Sequence, residues 1–284
     1  MHTVQRLAMS GHRHLIIVFL CSAGFQSVSH AADIEEIVRR GNATLQSDWA
    51  ADQDYAYVER DEVLKNEKMT SKTSRVVYIA GSDYYLPLAI DDQPLTPDLG
   101  KAELQKLKNE VRRRNAESPE ARRQRIATYR KERGENEALV LDFPHALNFE
   151  LLREETMDGH LAYVLSGTPK KRTGGAMSNA AKVLSGMRGT VWVDTDNFHA
   201  IRVECDVVTP VPVYGILAKV LPGTHVGFAM APVSDSVWLI SEFSMTLKVS
   251  KFFLFKSTQE TRSTYTEYRL NQQVLDELLS QAGQ

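Results

Sequence analysis

Long stretches of the chain alternate between apolar and polar residues, which is the two-residue period of a β-strand with one buried face. The alternation is strict over Ile201–Val207 and Glu242–Val249. Shorter runs rich in aromatic and β-branched residues cover Tyr55–Leu64, Ser74–Gly81 and Asp83–Ile90, and turn-forming residues separate them. Consecutive strands with no helix between them predict an antiparallel meander.

Turn-forming residues in the second half of the chain predict two further hairpins. Asp158-Gly159 stands between two extended runs, which is a strong hairpin signal. Asp194, Asp196 and Asn197, with His199 close by, could form either a turn or an Asp-x-Asp metal or nucleotide-sugar site. The α/β framework that such a site needs has no counterpart in the pattern. Because Asp and Asn side chains bond to nearby backbone in turns, we interpret the cluster as a turn.

Three segments outside the charged insertion described below are predicted to be helices. The first starts at Asp33, which can cap it, and carries an apolar stripe at Ile34, Ile37 and Val38. Residues 177–187 repeat apolar positions at helical spacing before the strand that follows. The apolar segment 214–221 is framed by Pro and Gly, and we expect a short helix there that covers the concave face of a curved sheet.

The composition changes sharply over about 98–137, where a charged helical insertion interrupts the strands. Twelve Lys or Arg face seven Glu between Lys101 and Glu137, and a helical break is expected at Ser118-Pro119. Because only Leu104, Leu107 and Val111 form an apolar stripe, we expect a mostly solvated excursion. It is either an exposed insertion or a surface for an anionic membrane or a protein partner. The residues of that second interpretation are Arg112, Arg113, Arg114, Arg122, Arg123 and Arg125.

The N-terminal 31 residues have the parts of a secretory signal peptide: Arg6 and Arg13, an apolar run over 15–25 and a small-residue site ending at Ala31. The expected product is a periplasmic chain of residues 32–284. Cys21 leaves a lipid-anchored form as the alternative. Removal of the signal leaves 32 basic and 36 acidic residues, and this negative balance excludes a typical nucleic-acid-binding protein. Cys205 is then the one cysteine left, and its strand position predicts a buried small apolar residue.

Catalytic and cofactor motifs are missing from the sequence. His145, His160, His199 and His225 show no metal-ligand spacing, and neither a nucleophile elbow nor a phosphate-binding or dinucleotide-binding glycine loop occurs. The sequence therefore predicts no metal, no cofactor and no enzyme. A catalytic triad assembled from distant residues is the alternative that a sequence leaves open.

Three stretches carry a resemblance to a known family: "GMRGTVWVDTDNFHAIRVE" (186–204), "PVSDSVWLISEFSMTL" (232–247) and "TYTEYR" (264–269). This succession of strands and turns resembles the outer-membrane lipoprotein-sorting superfamily of LolA/LolB-like periplasmic proteins. The resemblance implies a mainly β, α+β fold: a curved antiparallel sheet that forms an incomplete barrel, with helices covering its opening. It implies one half-barrel domain over 32–284 and an apolar cavity for acyl chains.

The expected function is that of a carrier or chaperone for a lipid acyl chain or a lipoprotein. The alternative is an envelope protein-interaction or stress-sensing module without lipid, in which the apolar face is a filled core. An enzyme that acts on envelope lipids is a third possibility. The candidate ligand-binding residues are Val191, Val193, Ile201, Val203, Cys205, Ile216, Leu217, Phe243, Met245 and Leu247.

Overall fold

The predicted meander is present as one antiparallel sheet in the computed structural model, which describes residues 33–170, 179–212, 218–251 and 255–283. The described residues contain thirteen strands in this sheet. They are β1 Tyr55–Lys65, β2 Lys68–Ile79, β3 Ser82–Ile90, β4 Gln93–Pro94, β5 Leu147–Met157, β6 His160–Pro169, β7 Met187–Asp194, β8 Ala200–Val207, β9 Val211–Pro212, β10 Ala218–Val220, β11 His225–Ser234, β12 Val237–Lys251 and β13 Phe255–Leu270.

The helices of the described residues are α1 Ile34–Ala51, α2 Pro97–Asn115, α3 Pro119–Ala146, α4 Asn179–Leu184 and α5 Asn271–Gln281. The strand order is β4-β3-β2-β1-β13-β12-β11-β8-β7-β6-β5, with β9 and β10 beside this path. Since β4 and β5 stand at opposite ends of the order, the described sheet is not closed into a barrel. The predicted class, a mainly β fold with a large antiparallel sheet and covering helices, is confirmed.

Hairpin turns form where the turn-forming residues predict them. Asp158 and Gly159 have φ angles of 51° and 87°, as a two-residue type I′ turn requires. The turn between β7 and β8 is confirmed at Asp194, whose Oδ1 accepts hydrogen bonds from the backbone N–H groups of Asp196 and Asn197 at 2.9 and 3.0 Å.

The two faces of the sheet are covered by different helices. On the outer face, Leu107 of α2 and Val274 and Leu275 of α5 pack against Val77 and Ile79 of β2. On the inner face, α3 begins beside the β2–β3 turn, where Arg125 donates to the Ala80 carbonyl. It ends next to β5 at the other edge of the sheet. Because it joins opposite edges and its Tyr129 packs against the inward Tyr57 and Tyr78, α3 crosses the inner face.

One expectation about the covering segments was wrong and another was confirmed. Most described side chains of the charged insertion are exposed and its helices break at Ser118-Pro119, as expected, while the predicted stripe docks α2 because Leu107 is completely buried and joins the core with Leu104 and Val111. One stripe of three apolar residues is enough to dock a helix that is otherwise polar. The segment 214–221 is not a helix over residues 218–220, which form β10 and pair with β12. Because β12 extends beyond the end of β11, its backbone groups there are available to pair with β10.

Helix α1 follows its predicted start and runs further than its apolar stripe. The Asp33 side chain accepts a hydrogen bond from the backbone N–H of Glu35 at 3.0 Å, which caps the helix. The second predicted helix is observed as α4, and its expected beginning at Met177 lies outside the described residues. Within the described ranges, no helix is both long enough and apolar enough to cross a bilayer.

Candidate ligand-binding site

The apolar candidate residues lie side by side on the inner face of the sheet. Directly opposed residues of antiparallel strands point to the same face. One such row joins Val191, Val203, Phe228 and Phe243 across β7, β8, β11 and β12. The next row joins Cys205, Val226 and Met245. We call these two rows, together with Val193, Ile201 and Leu247, the apolar tract.

The apolar tract is buried at one side and partly open at the other. Val203 and Cys205 are 5% and 6% exposed, whereas Phe243, Met245 and Leu247 are half-buried. The structure therefore brings together eight of the ten residues that the sequence singled out. The other two, Ile216 and Leu217, lie outside the described residues.

Polar and aromatic residues replace the apolar ones where the same rows continue into β13 and β1. Phe243 is opposed by Ser263, which is opposed by Asp61, and the Ser263 hydroxyl donates a hydrogen bond to the Asp61 carboxylate at 2.5 Å. In the adjacent row Glu59 is opposed by Tyr265. The inner face is therefore amphipathic, apolar from β7 to β12 and polar from β13 to β3.

Glu59 is the titratable group at the centre of the polar half. Burial and the neighbouring charge of Asp61 raise the pKa of Glu59 to about 7, while the Tyr265 hydroxyl counteracts this by hydrogen bonding. One carboxyl oxygen, Oε2, is fully buried and has no hydrogen-bond partner among the described residues. The side chains of Tyr57, Tyr85, Tyr265 and Tyr268 surround the carboxyl group, and burial, together with the charge of Glu59, raises the pKa of each phenol.

A buried chain of polar and aromatic groups closes one end of the inner face. Asp48 of α1 is 1% exposed. Its carboxylate lies 2.7 Å from Nδ1 of His199 and accepts the backbone N–H of Trp238 at 3.0 Å. The His199 ring stacks on the Trp238 ring, and His160 meets that ring edge-on, with centroid distances of 5.3 and 4.8 Å. Nδ1 of His160 lies 2.9 Å from Oδ2 of Asp194.

These buried polar groups were missed at the level of sequence for a physical reason. Asp48 and His199 are separated by 151 positions along the chain, and nothing in the helix pattern distinguishes Asp48 from a solvated acid. A signal did exist for Glu59 and Asp61. They occupy the inward positions between Tyr57 and Val63, so the alternation of β1 places acids where an apolar core would place aliphatic residues.

The six candidate arginines divide into two groups. Arg112, Arg113, Arg122 and Arg123 are exposed on α2 and α3. Arg114 is 7% exposed and donates to the carbonyls of Ser82 and Asp83. The half-buried Arg125 donates to the Ala80 carbonyl and pairs with Glu117 at 2.8 Å. The latter two guanidinium groups therefore hold the helices to the β2–β3 turn.

Neither a metal-binding cluster nor an activated thiol is found in the part of the chain that the structure describes. Among the described residues, no group of three or more His, Cys, Asp or Glu side chains is placed to hold a metal ion. Burial raises the pKa of the Cys205 thiol to about 12, so this cysteine is a protonated member of the apolar tract at neutral pH.

Comparisons with known proteins give matches among solved structures. No family model and no curated protein matches the chain. A lipoprotein-sorting protein domain from Vibrio parahaemolyticus is 15% identical, with a TM-score of 0.31 over 84% of this chain and 99% of that one. A LolA superfamily protein from Nitrosomonas europaea is 11% identical, with a TM-score of 0.29 over 83% and 92%. A chain of the MucA/MucB complex of Pseudomonas aeruginosa is 11% identical, with a TM-score of 0.22 over 80% and 94%.

These matches include the superfamily that the sequence resembles.

Proposed function

We propose that this protein is an envelope carrier or chaperone that holds the acyl chain of a lipid or a lipoprotein against the apolar tract. The observation that supports it is the registered row of apolar side chains across β7, β8, β11 and β12, with a half-buried side at Phe243, Met245 and Leu247. Such a role needs no catalytic group and no cofactor.

The energetics of an acyl chain are consistent with this role. Burying one CH₂ group is worth about 0.8 kcal/mol, so a chain of ten carbons contributes roughly 8 kcal/mol before costs are subtracted. Lost translational freedom and ordering of the chain offset part of this gain. An affinity no tighter than micromolar is therefore expected for a simple alkyl chain.

The proposed site of action is the periplasm. A signal peptide over residues 1–31 would direct export, and that segment lies outside the described residues. Acyl chains and lipoproteins in transit need an apolar surface when they leave a membrane, and the apolar tract would supply one.

Two methionines on opposite faces allow a controlled test. Met245 belongs to the apolar tract, whereas Met69 is opposed by Leu64 on the outer face and is 55% exposed. Binding of decanol to residues 32–284 is measured by titration calorimetry. We expect Met245→Gln to weaken binding at least fivefold and Met69→Gln to leave it unchanged. Equal affinities for the two variants, or no binding to the unaltered protein, would contradict the proposal.

The exposed arginines of α2 and α3 favour a second candidate function, an envelope protein-interaction or stress-sensing module. Arg112 and Arg123 present positive charge to solvent and could contact an acidic partner or an anionic membrane surface. The double variant Arg112→Glu/Arg123→Glu separates the two functions. Loss of co-purifying envelope proteins with decanol binding intact would favour this second candidate.

A further inference from the structure

The polar half of the inner face lies within reach of a molecule bound to the apolar tract. Glu59 on β1 and Phe243 on β12 are separated by one intervening strand, β13. With neighbouring strands about 4.8 Å apart, the two backbones are about 10 Å from each other. An amphiphile with its alkyl chain on Phe243 and Met245 can therefore place its polar end beside Glu59.

The chemistry around Glu59 favours a positive charge. The buried oxygen Oε2 lacks a hydrogen-bond partner among the described residues, so a donor placed there would meet an unused acceptor. Asp61 and Asp83 add negative charge, and the positive charge of Lys72 partly offsets it. An anionic head group would be repelled by this set of charges.

The aromatic surroundings point to the same class of ligand. Tyr57 contacts Tyr265 and Tyr268 with ring-centroid distances of 5.7 and 5.3 Å. Tyr85, on the inner side of β3, is 43% exposed. The faces of tyrosine rings attract ammonium groups, and rings combined with a carboxylate attract them more strongly than either group alone.

We propose that Glu59, flanked by Tyr85 and Tyr265, binds the cationic amine end of an amphiphile whose alkyl chain lies on the apolar tract. This inference rests on the proposed function, because it takes alkyl binding to the tract as given and names the polar end of the ligand. It assigns Glu59 as a specificity-determining residue.

The pH dependence of binding follows from the charges that face Glu59. These are Asp61 on β1, Lys72 on β2, Asp83 on β3 and the phenols of Tyr57, Tyr85, Tyr265 and Tyr268. Since the pKa of Glu59 is raised to about 7, the free carboxyl group is mostly protonated at pH 5.5 and mostly ionised at pH 8. An alkylamine stays protonated over this range. Its binding should therefore strengthen with rising pH and release a proton from Glu59.

Three ligands with the same ten-carbon chain test the inference: decylamine, decanol and decanoate, each titrated into residues 32–284. At pH 8 we expect decylamine to bind at least tenfold more tightly than decanol, and decanoate to bind most weakly. The preference for decylamine should shrink at pH 5.5. Glu59→Gln should abolish the preference while decanol binding stays within twofold. The control Glu242→Gln removes an exposed acid on the outer face of β12 and should preserve the preference.

The other possible outcomes contradict either the cationic site or the proposed function. If decanol and decylamine bind equally, or if Glu59→Gln keeps the preference, alkyl binding stands and the cationic site is wrong. Tighter binding of decanoate would also overturn the site. If none of the three ligands binds, the proposed function itself fails and the inference falls with it. If Glu59→Gln does not fold, the pH dependence of decylamine binding to the unaltered protein and the variant Tyr265→Phe test the cationic site instead.

Discussion

The carboxylate of Asp48, near the end of α1, lies 2.7 Å from Nδ1 of His199, which follows the β7–β8 turn. The same carboxylate accepts the backbone N–H of Trp238 at the start of β12. One buried acid thus joins the first helix to two hairpins that are distant in sequence. Thr44 strengthens this attachment, since its hydroxyl donates to the Phe198 carbonyl at 2.8 Å.

We expect Asp48→Ala to lower the free energy of unfolding by about 3 kcal/mol or more, because removing one partner of a buried polar pair leaves the other uncompensated. Urea unfolding followed by Trp fluorescence measures this change. Glu36→Ala, which removes a partly exposed acid of the same helix that pairs with Arg39, is the control and should have a much smaller effect. Similar losses in the two variants would show that the buried contact contributes little.

Arg114 provides a second stability prediction. Its guanidinium group donates to the carbonyls of Ser82 and Asp83 and to the Ser82 hydroxyl. Arg114→Ala removes the donor from the Ser82 and Asp83 carbonyls, although Arg125 still donates to the Ser82 hydroxyl, and we expect a loss of about 2–3 kcal/mol in the free energy of unfolding. Arg112→Ala, on the exposed side of α2, should cost nothing measurable in the same assay. A stable Arg114→Ala protein would mean that α2 is held by its apolar stripe alone.

Glu59 should make stability depend on pH. Its pKa in the folded protein is raised to about 7 from an ordinary value of 4.5. An acid whose pKa is higher in the folded protein than in the unfolded chain stabilises the folded state at a pH below its pKa in the unfolded chain. This contribution is lost as the pH rises through its pKa in the folded protein. Ionisation therefore costs about 3 kcal/mol of stability at high pH.

Glu59→Gln removes that cost. We expect the variant to be more stable than the unaltered protein at pH 9 and the difference to shrink toward pH 5, measured by urea unfolding at each pH. The outer-face variant Glu242→Gln should follow the unaltered protein throughout. A difference that is independent of pH would show that Glu59 titrates normally.

Cys205 should resist thiol reagents in the folded protein. Burial raises its pKa to about 12, and the thiolate is the reactive form. Ellman's reagent at pH 8 should therefore modify residues 32–284 only slowly, and stoichiometrically after urea is added. Rapid modification of the native protein would place the apolar tract in contact with solvent.

The sequence was sufficient to predict most of the sheet, because strand formation leaves a local signal. The alternation of Ile201, Val203, Cys205 and Val207 and the turn at Asp158-Gly159 are both read within a few residues. The β10 strand at Ala218–Val220 was misread as helical because its stability comes from pairing with β12, which no local pattern reveals.

The candidate site could be predicted only on its apolar side. Val203 and Phe243 are recognisable as inward residues of their own strands, and β11 joins them in register through Phe228. The positions of Arg114 and Arg125 could not be predicted, because an arginine bound to buried carbonyls and a solvated arginine share the same helical context. Glu59 needed the fold as well, since its character depends on Tyr265 from the far end of the chain.

The most direct test of the proposed carrier function is lipid mass spectrometry on residues 32–284, exported to the periplasm and purified without detergent. The carrier function predicts that an acylated molecule co-purifies, with a strongly reduced yield from Met245→Gln and a normal yield from Met69→Gln. A protein free of lipid that also takes up no alkyl ligand would contradict it and would show that the apolar tract is a filled core.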